Sequence, residues 1–268
     1  MKTIIKLLLI SIGFQVLGTL VASPVLFFLD KMYMLALTLV LSSLMMIWYL
    51  FKKQYLRIDQ YTWSIRSVRA LLWAIAWGLG AYLMCGGLDD LLDLPNLMEE
   101  QFEELSFNVI GVLAIVVVGP IAEELLFRGA ILGYLLKKRN LSSKYAILIS
   151  ALLFGLIHMN PAQIVYAFVL GMVLGRIYYQ SGSLLLCIIL HVLLNGLSTA
   201  VTICNPDVQS QGEFVGTTAT GWFLLVGAVI MIACGRLFNN LLKAPFWKEP
   251  VFVEEMDEDG VNAKESKE

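Results

Sequence analysis

Hydrophobic residues fall into long runs rather than short alternations. Apolar stretches cover residues 4–29, 32–51, 68–87, 106–136, 145–159, 161–179, 183–204 and 220–242, parted by short polar connectors. A bilayer crossing by an α-helix needs roughly 20 mostly apolar residues, and only helices or closed barrels satisfy their backbone in lipid. Unbroken runs of this length predict an all-α, polytopic transmembrane helical bundle with about eight crossings. The first run follows Lys2 and Lys6 as a secretory signal would, but it continues to Leu29 without a small-residue cleavage site, so it reads as a retained membrane helix.

Composition strengthens this picture. Hydrophobic residues make up 59% of the 268 and charged residues 15%, which excludes an ordinary soluble domain and leaves no basic surface for nucleic acid. Membrane lipids are the implied surroundings. Cys85, Cys187, Cys204 and Cys234 occur singly, without metal-ligand spacing, and read as small buried hydrophobes.

Charge distribution gives sidedness. Lys52, Lys53, Arg57, Arg66 and Arg69 follow the second run, Lys137, Lys138, Arg139 and Lys144 the fourth, and Lys243 and Lys248 the eighth. The intervening stretch "DDLLDLPNLMEEQFEEL" carries seven acids and no base, and the 205–219 loop offers only Asp207 and Glu213. Under the positive-inside rule both termini face the cytoplasm, in an inner or plasma membrane read as prokaryotic. The acidic stretch is expected to be a solvated connector or an amphipathic helix on the outer surface. The tail "FVEEMDEDGVNAKESKE" reads as a disordered cytoplasmic appendage. These features divide the chain into N-terminal helices with the acidic loop (1–104), a core (105–204), a last loop and helix (205–243) and the tail (244–268).

Against this background a few ionisable residues stand out. No lysine or arginine lies between Ala70 and Phe127, and no charged residue at all between Tyr145 and Gly175. Yet the fourth run contains "GPIAEELLFRG", with Glu123, Glu124 and Arg128. A mid-membrane charge costs roughly 2.5 to 3.5 kcal/mol on insertion scales, so such residues face a bundle interior or wet cavity and mark function. Glu124 and Arg128 are four apart and share a face, whereas Glu123 points about 100° away. The arginine can hold Glu124 ionised and leave Glu123 free to exchange a proton. The competing reading is a buried ion pair that ties helices together.

Only two histidines exist, and both sit in apolar runs: His158 in "FGLIHMN", with Phe154 one turn before it, and His191 in "HVLLN", with Asn195 one turn after it. At 1.5 Å per residue, Glu123 lies about 22 Å and His158 about 21 Å from the basic ends of their runs, with His191 and Asn195 about 12 and 18 Å from Ser183. Similar depth predicts one site, opening toward the cytoplasm. A carboxylate and an imidazole can activate water while a second imidazole and a carboxamide donate to an oxyanion, which suits amide hydrolysis. Neither Ser150 nor Ser198 has an evident base. A glutamate and two histidines can also ligate zinc, and the residues leave metal assistance and direct water activation both open.

Together "EELLFRG", "FGLIH" and "HVLLN" resemble the E-E-x-x-x-R, F-x-x-x-H and H-x-x-x-N elements of the CPBP intramembrane proteases, the family of CAAX-processing endopeptidases and of bacterial bacteriocin-processing or immunity proteins. The resemblance covers about residues 105–200. It implies a membrane endopeptidase acting on a peptide or membrane-protein substrate, with Glu123 and His158 activating water, His191 and Asn195 stabilising the oxyanion, and Glu124, Arg128 and Phe154 in support. Family members are described as metalloproteases, and a metal-free glutamate mechanism has also been proposed. The competing functions are a non-catalytic immunity or partner-binding protein and a proton-coupled transporter.

Overall fold

The computed structural model describes residues 2–138, 140–205, 217–242 and 245–248. Among them every regular element is helical. In chain order these are α1 (Lys2–Ala22), α2 (Lys31–Lys52), α3 (Val68–Leu92), α4 (Glu99–Ser106), α5 (Val109–Leu136), α6 (Ser143–Leu156), α7 (Pro161–Ser181), α8 (Leu184–Cys204) and α9 (Thr217–Leu241). All except α4 and α6 are long and apolar enough to cross a membrane, α1 together with the 3-10 turn Ser23–Phe27 that follows it. The chain is an integral membrane protein built as a helical bundle. The 206–216 loop, Arg139, Lys243 and the acidic tail from 249 lie outside the described residues, so the expectations for them stand apart from the structure.

The fifth expected crossing, 145–159, is α6, which ends at Leu156 after 14 residues. That length is about 21 Å, short of a full span by itself. The apolar pattern runs on through Ile157 and Met159, but Pro161 disfavours helix in the residue before it, and Met159 adopts a positive φ of 52°. His158 therefore sits in the turn beyond α6 rather than inside a helix. The α6–α7 hairpin is tight: a Cβ at Gly171 would lie 3.0 Å from the Ala151 Cα.

Small residues bring other helices together in the same way. A Cβ on Gly80 of α3 would fall 2.8 Å from the Met231 amide nitrogen of α9, one on Gly87 would fall 2.8 Å from that of Leu224, and one on Gly227 of α9 would collide with the Met84 nitrogen. α3 and α9 thus touch backbone to backbone, the mode by which lipid-embedded helices gain packing without a hydrophobic driving force.

Two ends of the bundle can be distinguished. At one, the Thr62 carbonyl accepts from the amides of Leu184 and Leu185 at 3.0 and 3.1 Å, and Ser183 Oγ donates to the Ser64 carbonyl at 2.6 Å. The Arg57 guanidinium stacks on Phe246 and Trp247 there, and Trp247 packs on Tyr178. This end carries the basic loops. At the other, Asn160 clamps the acidic connector, accepting from the Leu97 amide at 3.0 Å and donating to Asn96 Oδ1 at 2.8 Å. Within the acidic stretch the short helix α4 forms, with Leu105 and Ser106 buried.

All four cysteines are free. Cys85, Cys187 and Cys234 are buried as expected, whereas Cys204, at the end of α8, is exposed.

Candidate functional site

The site is built on α5, which is not a regular α-helix. Leu113–Val118 and Leu125–Leu132 are wound as π-helix, with Gly119–Glu124 as α-helix between them. Short π segments recur at functional sites because they widen the helix and re-aim side chains. Glu123 lies about 21 Å from Val109 and about 20 Å from Leu136, at the middle of the helix.

Glu124 and Arg128 form an ion pair of 2.7 Å between Oε1 and a guanidinium nitrogen, with side chains 0% and 1% exposed. The same Oε1 also accepts from His191 Nδ1 at 2.8 Å. The two remaining guanidinium nitrogens and Glu124 Oε2 have no hydrogen-bond partner among the described residues. His191 is thereby fixed as an Nδ1–H donor with Nε2 turned the other way, 3.7 Å from Glu123 Oε2. Glu123, with its side chain 35% exposed, is the accessible carboxylate of the adjacent pair.

Phe154 of α6 joins the rest. Arg128 lies 4.4 Å over its ring, and the rings of His158 and His191 meet it edge-on at centroid distances of 5.2 and 5.7 Å. Its carbonyl accepts from His158 Nδ1 at 2.8 Å, which leaves His158 Nε2 as a lone pair. No hydrogen bond or ion pair joins His158 directly to Glu123 among the described residues. The aromatic wall expected beside one histidine therefore touches both, and the arginine too.

Asn195, one turn beyond His191 on α8, donates from Nδ2 to the Ile115 carbonyl of α5 at 3.0 Å. One of its two N–H groups remains. Ser150 donates to the Phe127 carbonyl at 3.1 Å in the buried core, a role in backbone satisfaction. Sequence reading missed the His191–Glu124 bond and the Ile115 acceptor. Only Pro120, a proline inside an apolar run, hinted at the latter.

Among the described residues the expected opening toward the basic end is not found. Every residue from Leu125 to Leu132 is buried, as are Leu184, Leu186, Cys187 and Ile188 of α8, and Phe246 packs onto Gly182 below them. In Leu113–Val118, on the other side of Glu123, only Ala114 is buried.

A zinc site with one open position needs three protein ligands. Among the described residues no three His, Cys, Asp or Glu side chains are grouped to hold a metal. His191 is oriented toward Glu123, but His158 points its free nitrogen from a separate turn, so the donor set does not assemble in this arrangement.

Residues 105–197 match the Rce1-like family, described as type II CAAX prenyl endopeptidase Rce1-like. The matched segment contains all seven residues singled out in the sequence and agrees with the resemblance drawn from the three motifs. It supports a membrane-embedded protease. No curated protein and no solved structure shows a match to the chain.

Proposed function

We propose that this protein is an intramembrane endopeptidase that hydrolyses a peptide bond of a membrane-associated peptide or protein with a water activated by Glu123. The observation that carries the reading is the division between adjacent glutamates: Glu124 is spent on Arg128 and His191, while Glu123 stays accessible and faces His191 Nε2.

In this reading the Glu123 carboxylate takes one proton from water and His158 Nε2 accepts a hydrogen bond from the other. The water oxygen attacks the scissile carbonyl carbon. The oxyanion is stabilised by an Nε2–H of His191 and by the free N–H of Asn195, donors held in place before charge develops. Glu123 then returns its proton to the leaving amine as the C–N bond breaks. The segment 105–204 is the catalytic core in this account. The basic end faces the cytoplasm by charge bias, and the substrate segment enters from the acidic-loop half or laterally.

The test is a mass-spectrometric comparison of protein N- and C-termini in cells carrying wild type or Glu123→Gln at equal abundance. New termini that appear with wild type alone are expected. Identical termini, with both proteins folded and inserted, would replace the protease by a binding or immunity role.

A further inference from the structure

Pro120 lies near the centre of α5, three residues before Glu123. Proline has no N–H, and in regular α-helix its ring also collides with the carbonyl four residues back. Here the helix is widened: the Gly119 amide donates to Ala114, five residues earlier rather than four. A Cβ at position 119 would come 2.9 Å from that Ala114 oxygen, so glycine permits the approach. Continuing this five-residue spacing, position 120 should donate to the Ile115 carbonyl, and it has nothing to donate. Ile115 O is the atom to which Asn195 Nδ2 donates at 3.0 Å. In lipid a backbone carbonyl freed by proline has to be re-satisfied locally, and a side chain of a neighbouring helix is one way to do so.

We infer that Pro120 is a positioning residue: by withholding the backbone donor from Ile115 it creates the anchor that fixes the Asn195 carboxamide, so that its second N–H is held ready for the substrate oxyanion. The Gly119–Pro120 pair is then part of the working site although neither residue carries a reactive group. The inference rests on the role proposed for Asn195 above, but its structural half can be tested without a substrate.

The experiment is a double-mutant cycle with the full chain purified in detergent. Pro120→Ala restores an N–H that can bond Ile115 and release Asn195; Pro120→Val does the same with a second side chain and guards against a fault peculiar to alanine. In the proline background Asn195→Ala strands the carbonyl and should lower Tm by roughly 3–6 °C. In either Pro120 variant the same change should lower Tm by less than half as much. Equal losses in all backgrounds would overturn the inference. In cleavage of a substrate segment found by the terminus comparison, Pro120→Ala should lower kcat roughly tenfold or more with KM little changed, and Asn195→Ala should add little to it. Unaltered kcat would overturn the catalytic half. Thermal coupling without cleavage by any form, wild type included, would sink the protease reading and leave the anchoring of Asn195 in place.

Discussion

Arg128 and His191 meet on a single atom, Glu124 Oε1, at 2.7 and 2.8 Å. The arginine is four residues away on the same helix and the histidine 67 residues away on another, so one carboxylate oxygen ties the site's scaffold to its histidine. Neither partner can be altered without changing what the other feels.

Arg128→Ala should destabilise the protein by about 3–5 kcal/mol, because it removes the guanidinium from the buried Glu124 carboxylate and leaves it only the His191 N–H. Thermal unfolding in detergent reads this. The double variant Arg128→Met with Glu124→Leu, which removes both charges, should recover part of the loss. If it proved less stable than Arg128→Ala, the buried-charge account would be wrong.

The two histidines are the only ones in the chain, which makes nitrogen-15 spectra of histidine-labelled protein readable. Both rings should carry a proton on Nδ1, His158 for the Phe154 carbonyl and His191 for Glu124. His158→Ala assigns the signals. A bare Nδ1 on either ring would contradict the geometry.

Ser150→Ala should leave cleavage within about twofold while lowering stability by about 1 kcal/mol, the usual net value of one hydrogen bond. Its hydroxyl is occupied by the Phe127 carbonyl. Loss of cleavage with stability intact would point instead to a serine nucleophile.

Phe154→Leu keeps much of the volume but removes the ring on which Arg128 and both histidines lean. Loss of a desolvated cation–π contact alone is worth about 2 kcal/mol. Cleavage should fall at least tenfold through misplaced imidazoles. A variant as active as wild type would reduce Phe154 to a filler of space.

Much of this site could be read along one helix and little of it across two. Glu124 and Arg128 pair because four residues make a turn, a relation any helical stretch announces. The bond from His191 to Glu124 depends on how α5 and α8 are rotated about their axes, which hydrophobic runs this uniform do not encode. Helix ends show the same contrast. Asn160–Pro161 marked the end of α6 more truly than the apolar run did, because Ile157 and Met159 extend the hydrophobic pattern beyond the last helical residue and carry His158 with it. The packing at the basic end was illegible for another reason: Phe246 and Trp247 dock there near Arg57, which joins positions nearly 190 residues apart.

The glycine-lined crossing of α3 and α9 places a demand on biosynthesis. The ribosome must make residues 93–216 after α3 before α9 begins to emerge. At about 5–20 residues per second that interval is on the order of ten seconds. For that time α3 sits in the bilayer with Gly80 and Gly87 facing no partner, and any other small-residue helix nearby can occupy the groove. Gly227→Leu should therefore act as an assembly defect: the protein would insert but elute in size-exclusion chromatography as aggregate rather than as a sharp monodisperse peak.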